Sequence, residues 1–356
     1  MIWVGRRQIA CKLVTINVGR KCITSSDQLD WKIHMKRVYL TYDNLAKQDG
    51  VGAQLQRILG IFSICRKWRL RYVHSNIVGT VEELSHNLNS ANELDKLLED
   101  VNDTFTLPSQ KLPAKYRIIH VHNISLRKLA RLIFDAYRNR EYILVKICLP
   151  YGLIEKFPDW YEIAGDEIRK LKPYISLKPK NQVVVHIRYG YKPIEGSNNA
   201  SSPRFLPLSY YPLALAQLFI KENLDPLIPV IVHTDIPKSN GSWAPYQGTK
   251  IAELESIGYE FAENKLQYET VDLKADYFSD YANLTVKYSE PILETLEEMY
   301  TSKYLLMSRS SFSYIAGIIN PNKVYIPRQH GHVKLTRWSW DFPEAETPKI
   351  ELLSGI

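Results

Sequence analysis

Apolar residues recur along the chain in two alternating patterns. Short continuous runs rich in Val, Ile and Leu predict buried strands, and stretches with apolar residues three and four apart predict helices packed on them. Lys36–Thr41 (KRVYLT) predicts a strand, and Tyr42–Gly52 a loop. Ala53–Trp68 predicts a helix with Leu55, Ile58, Leu59, Phe62 and Cys65 on its apolar face, and Leu70–Val73 returns as a strand. This is a βαβ unit, the building block of parallel sheets. A polar segment follows, with a surface helix over Ala91–Leu98. Tyr116–Val121 predicts the next strand, then a helix over 126–139 capped by Ser125, with Leu126, Leu129, Ile133 and Phe134 inward. Tyr142–Ile147 reads as a strand and Trp160–Leu171 as a helix. The place of Ala10–Val18, a possible strand, stays open.

Lys172–Lys180 carries two prolines and no helical period, which marks a domain boundary. The expected units are residues 1–172 and 181–356. The second repeats the alternation. Strands are expected at Val183–Ile187, Pro229–Thr234, Tyr259–Phe261, Tyr304–Met307 and Lys323–Ile326. Helices are expected at Pro212–Lys221, Lys250–Ile257, Glu290–Thr301 and Ser310–Ile319, with long loops at 189–207 and 236–249. The fold class is α/β: two Rossmann-like, doubly wound domains facing each other across a cleft.

Composition narrows the class. Hydrophobic residues make up 45% of 356, enough for a substantial core. Tyr, at 23 residues, outnumbers Phe, at 10, and offers flat faces with polar edges. The net charge of +8 permits a phosphate-bearing partner, but the cations are dispersed and form no nucleic-acid motif. Arg66, Lys67, Arg69 and Arg71 form the nearest approach to a cluster and read first as the solvated end of a helix and a strand edge, with a binding patch as the alternative. The four cysteines form no CxxC pair and suit a reducing compartment. No apolar window reaches the ~18 residues of a membrane span, and no signal-peptide core is seen, so a cytoplasmic location is expected. The five Asn-X-Ser/Thr triplets then read as chance. No metal signature appears.

Four places could carry chemistry. Asp49-Gly50-Val51-Gly52-Ala53-Gln54 sits at a strand-to-helix turn, where glycines bring backbone N–H groups close to a ligand or simply make a tight turn. Gln54 could reach into the cleft. In His186-Ile187-Arg188, strand alternation puts the imidazole and the guanidinium on one face at a strand end. That arrangement fits a phosphate, or a structural carboxylate. Ser308-Arg309-Ser310-Ser311-Phe312-Ser313 opens a helix and offers hydroxyls and free N–H groups to an anion, or plain capping. His233-Thr234-Asp235 ends another buried strand, where a carboxylate could meet a ribose or a base edge, or simply shape a turn.

Taken in order, these segments resemble the fucosyltransferase superfamily, most closely its α-1,2-fucosyltransferase-like group. The family's Gly-Gly-Leu-Gly-Asn-Gln segment is matched by Asp49–Gln54, and its His-X-Arg-Arg-Gly-Asp segment by His186–Tyr191. Its Asn-Ser-Ser-Phe-Ser-Trp-Trp-Ala run is matched by Arg309–Ala316, ten residues after Met299. The resemblance runs from about Asp49 to Pro327. It implies a GT-B glycosyltransferase, inverting and metal-independent, with no cofactor, moving fucose from GDP-fucose to a glycan hydroxyl. Other nucleotide sugars, or a non-catalytic binding module, remain alternatives. Arg188 would hold the pyrophosphate, with Ser310, Ser311 and Phe312 at the helix start and Gly50, Gly52 and Gln54 opposite. His186 and Asp235 would lie near base and ribose. Thr295 stands where relatives carry an acid, and Glu294 or Glu297 would substitute. Asp43 and Asp49 are the candidate general bases. Tyr189 and Tyr191 depart from the family's second Arg and its Asp.

Overall fold

The computed structural model describes residues 36–44, 50–79, 91–188, 206, 208–234, 272–288, 290–328 and 331–340. The expectations for residues 1–30, the loops 189–207 and 236–249, helix 250–257 and strand 259–261 fall outside these residues, apart from Leu206.

The α/β class expected from the sequence is the one observed, built on two parallel sheets. The N-terminal sheet contains β1 (Val38–Tyr42), β2 (Arg71–Tyr72), β3 (Arg117–Asn123) and β4 (Ile143–Leu149) in the order β2-β1-β4-β3. The C-terminal sheet contains β5 (Lys180–Ile187), β6 (Val230–Thr234), β7 (Leu284–Tyr288), β8 (Ser302–Leu306), β9 (Lys323–Ile326) and β10 (Ser339–Trp340). Its order is β10-β9-β8-β5-β6-β7, the strand order of a Rossmann sheet. Chain direction across the sheet reverses between β5 and β8. Ligands of open parallel sheets bind outside the carboxyl ends of the strands at such a point.

No sequence pattern predicts β7 and β10. β7 is an edge strand with only Leu284 fully buried, so its residues lack the apolar run that marks β5. The polar segment after residue 90 forms a longer helix than its spacing suggested, α2 (Ala91–Phe105). In α3 (Leu126–Arg138) Ser125 caps as expected, accepting from the Lys128 N–H at 3.3 Å. Phe134 is a correction: it is exposed, and Leu132 is buried beside Leu129, Ile133 and Ala136. The short α4 (Tyr151–Ile154) follows β4, a four-residue α6 (Tyr174–Leu177) interrupts the segment read as irregular, and α7 (Tyr210–Glu222) and α8 (Leu273–Tyr277) belong to the C-terminal half.

Two helices form the spine between the sheets. α1 (Val51–Trp68) is buried on nearly every side from Val51 to Cys65, including Gln54, Gln56, Arg57 and Ser63. α10 (Ser311–Ile319) is buried from Ser313 onward. They pack on each other and on α5 (Tyr161–Leu171), and one apolar cluster runs from β1 and β4 through these helices to Val184 and Leu305 of the other sheet. Two glycines allow the close approach. A Cβ on Gly52 would stand 2.6 Å from the backbone N and Cα of Phe312, and one on Gly165 would stand 2.4 Å from the carbonyl oxygen of Ile318. The last carbonyls of α10 are met by guanidinium groups. Arg169 donates to Ile318 and Ile319, and Arg337 to Gly317 and Ile318, at 2.8–3.2 Å. The negative end of the helix is thus satisfied by cations, while its N-terminus faces the sheet's reversal point.

Candidate active site

β5 and β8 are buried neighbours, and the side chains just beyond their paired residues meet across the reversal point. His186 Nδ1 and Ser308 Oγ lie 2.7 Å apart. Ser313 Oγ, one turn into α10, donates to the carbonyl oxygens of Ser308 and Ser310, both at 3.2 Å. Ser310 caps α10 by accepting from the Phe312 N–H at 3.2 Å. The Phe312 ring lies 5.6 Å from the imidazole of His186. The strand end, the turn and the helix start are therefore one hydrogen-bonded unit. β5 ends at Ile187, so Arg188 leaves the sheet there, half-buried, close enough to act on the charge of His186.

Burial, with Arg188 and His233 adding to it, holds the His186 imidazole well below the usual histidine range. It is neutral at pH 7, so it ties down Ser308 without adding charge. His233 is its register partner on β6. His233 Nε2 lies 2.7 Å from Glu298 of α9 (Ile292–Thr301), and Lys287 of β7 donates to the same carboxylate at 2.6 Å. Burial alone would raise the Glu298 carboxyl, but the hydrogen bonds from Lys287 and His233 bring it below the usual range. His233 Nδ1 is buried and has no hydrogen-bond partner.

The predicted residues divide. His186, Arg188, Ser310, Ser311 and Phe312 are brought together. Gly52 abuts Phe312, so the glycine loop and the serine loop do meet, but at Gly52 the close approach is to protein backbone. Gln54 is a correction. It is fully buried and grips Val78 from both ends of its amide, Nε2 to the carbonyl oxygen at 2.6 Å and Oε1 to the N–H at 3.2 Å. Gly50 supplies the first carbonyl of α1, accepting from Ala53 and Gln54. Glu294 is exposed on α9, and it is Glu298, one turn further, that reaches the strand ends. Asp49, Asp235, Tyr189 and Tyr191 lie outside the described residues.

The N-terminal sheet carries a second constellation. Asp43 follows β1, and its N–H crosses to the carbonyl oxygen of Ile147 on β4 at 2.9 Å. Its carboxylate is buried, with 5% of the side chain exposed, and lies 2.7 Å from Nδ1 of His120 on β3. The imidazole is 64% exposed, and its Nε2 makes no hydrogen bond among the described residues. The carboxylate named from the sequence is thus the inner member of a pair whose outer member is His120. Nothing in the strand pattern singled out His120, because its partner is 77 residues away.

A third chain of contacts links the halves. Ser311 Oγ lies 3.3 Å from His332 Nε2, and His332 Nδ1 lies 3.1 Å from Glu155. Thr336 donates twice to Asp159, at 2.6 Å each, and Arg337 pairs with Glu162. These contacts seat Ser311 and the segment after β9 on the N-terminal half.

No family model matches the chain, and no curated protein matches it. Among solved structures, POFUT1 in complex with GDP aligns at a TM-score of 0.39 and 11% identity, over 85% of this chain and 97% of that one. E. coli heptosyltransferase WaaC with ADP aligns at 0.35 and 8%, over 85% and 92%. E. coli ADP-heptose lps heptosyltransferase II aligns at 0.34 and 8%, over 85% and 89%. Likenesses this loose carry no weight for donor, acceptor or residue roles.

Proposed function

We propose that the protein is a GT-B glycosyltransferase, inverting and metal-independent, which moves fucose from GDP-fucose to a hydroxyl of a glycan acceptor. The observation that carries this reading is the His186–Ser308 bridge across the β5/β8 reversal point, with Arg188 and the α10 N-terminus beside it. Open parallel sheets hold phosphate-bearing ligands at this place. Arg188 holds the diphosphate and offsets the charge that grows on it as the glycosidic bond breaks. Ser310, Ser311 and the first N–H groups of α10 assist. Neutral His186 fixes the Ser308 turn. The order of the Gly50–Gln54, His186–Arg188 and Arg309–Ala316 segments, which resembles that of fucosyltransferases, supports the choice of sugar.

An inverting transfer also needs a base for the acceptor hydroxyl. His120 takes that role in this reading, through Nε2. Asp43 holds the ring by Nδ1 and stabilises the imidazolium formed when the proton arrives, as the buried carboxylate of a triad does.

A donor screen by calorimetry and product assay, with GDP-fucose, GDP-mannose and UDP-sugars, tests the reading. Wild-type protein is expected to bind and transfer from GDP-fucose. Arg188→Ala is expected to lower transfer by roughly 10²–10³-fold while the protein stays folded. Unchanged transfer in that variant sinks the assignment, and binding of no nucleotide sugar sinks the whole class.

A further inference from the structure

A pocket of about 440 Å³ lies at the other end of the N-terminal sheet, lined by Lys36, Arg69, Leu70, Arg71, Gln110 and Lys111. Its volume is within the ~300–1,000 Å³ range of small-ligand sites. Lys36 precedes β1, Arg69 and Leu70 follow α1, and Arg71 opens β2, so the pocket sits at the amino ends of the strands. The 18-residue α1 separates it from Gly52. At 1.5 Å per residue that is about 27 Å. This is not the candidate active site.

Four cations surround the opening and no acid lines it. Several cations elsewhere are paired: Arg66 and Lys170 with Glu167, Arg117 with Glu141, Lys323 with Glu222. Among the described residues, none of Lys36, Arg69, Arg71 and Lys111 has a salt-bridge partner. The negative end of α1 accounts for cations in its last turn, Arg66 and Lys67, and for Arg69 just past it. It does not account for Lys36 and Lys111, which come from separate segments.

The surroundings are built rather than loose. Arg69 is in the left-handed region, φ 55°, and its N–H meets the carbonyl oxygens of Arg66 and Cys65. Arg71 lies over the Tyr39 ring, 5.2 Å from its centre, and one of its terminal nitrogens donates to the Tyr39 hydroxyl. Its other N–H groups remain for a ligand. The Gln110 N–H donates to Tyr72 at 2.9 Å, and buried Leu107 anchors the segment that carries Lys111. Leu70 is a buried apolar floor.

We propose that this pocket binds a small polyanion carrying two or more phosphate or sulfate groups. The guanidinium forks of Arg69 and Arg71 grip oxygens in pairs, and the ammonium groups of Lys36 and Lys111 close over the ligand as point charges. The proposal does not depend on the glycosyl-transfer reading.

Calorimetry on the full chain tests it with two probes, inositol hexakisphosphate and a fully sulfated heparin tetrasaccharide. The first stands for phosphorylated small molecules and the second for sulfated glycans, and the tighter probe names the source. The double variant Lys36→Glu/Lys111→Glu changes exposed residues only. It is expected to weaken the tighter probe at least tenfold. The control Lys178→Glu/Lys180→Glu makes the same charge change at exposed residues elsewhere and is expected to leave Kd within twofold. Equal weakening in both variants would mean attraction to net charge alone and overturns the proposal, as does failure of wild-type protein to bind either probe.

Discussion

The carboxyl ends of the two sheets carry the same kinds of side chain in opposite states. In the C-terminal sheet the imidazoles are inside. His186 is pinned by Ser308, and His233 is held by Glu298, with only 6% and 2% of these histidines exposed. In the N-terminal sheet the acid is inside and the imidazole outside: Asp43 is buried, and His120 projects from edge strand β3. A neutral, buried histidine with one ring nitrogen held by a neighbour is suited to holding a loop in place. An exposed histidine oriented by a buried carboxylate is suited to moving a proton. Exposure, rather than residue type, separates the two ends.

The largest effect is expected at the exposed end. His120→Ala should lower kcat by about 10²–10⁴-fold while leaving the donor Kd unchanged, because the imidazole is assigned to the acceptor proton alone. Asp43→Asn should lower kcat by less and leave donor binding intact. Steady-state kinetics paired with calorimetry reads both. If His120→Ala kept full turnover, the two ends would differ only in exposure.

Next comes the contact that joins the ends. Gly52→Ala would place a methyl group 2.6 Å from the Phe312 backbone, which cannot turn aside as a flexible side chain would. Overpacking of this kind costs about 1–3 kcal/mol. The midpoint of urea unfolding should fall accordingly, and a wild-type midpoint would mean that α1 and α10 do not meet there.

The smallest effect sharpens the buried end. The His186 imidazole is held below its ordinary value by burial first, then by Arg188 and His233. An unfolded histidine takes up its proton near pH ~6.5. As the pH falls below that value, the unfolded chain binds a proton that the folded chain refuses. Stability therefore decreases towards acid, by up to about 1.4 kcal/mol per pH unit for such a group. Urea unfolding at pH 7.5 and 5.5 should show the loss, and His186→Asn should make it shallower. An unchanged slope in that variant would assign the loss to other groups.

The elements were legible because their signals are local. Val183, Val184 and Val185 form a strand in almost any parallel sheet, and Leu55, Ile58, Leu59 and Phe62 make one face of a helix wherever it packs. β7 and β10 carry no such signal, because as edge strands they have little to bury. Phe134 misled because it is apolar at a spacing near that of the true inward set, one position from Ile133 on a helix that turns about 100° per residue.

By itself, the sequence determined the order of strands and helices, the α/β class, and which segments end at strand termini. These follow from hydrophobic period and from glycine and proline placement, which act over a few residues. Only the tertiary structure decided what each polar group does. It joined Ser308 to His186 across 122 residues and His120 to Asp43 across 77. It turned Gln54 from a candidate ligand group into a clamp on Val78, and gave Gly52 a helix to lie against. Hydrogen bonds and close approach depend on distances of a few ångströms between residues far apart in the chain, and no local pattern carries that information.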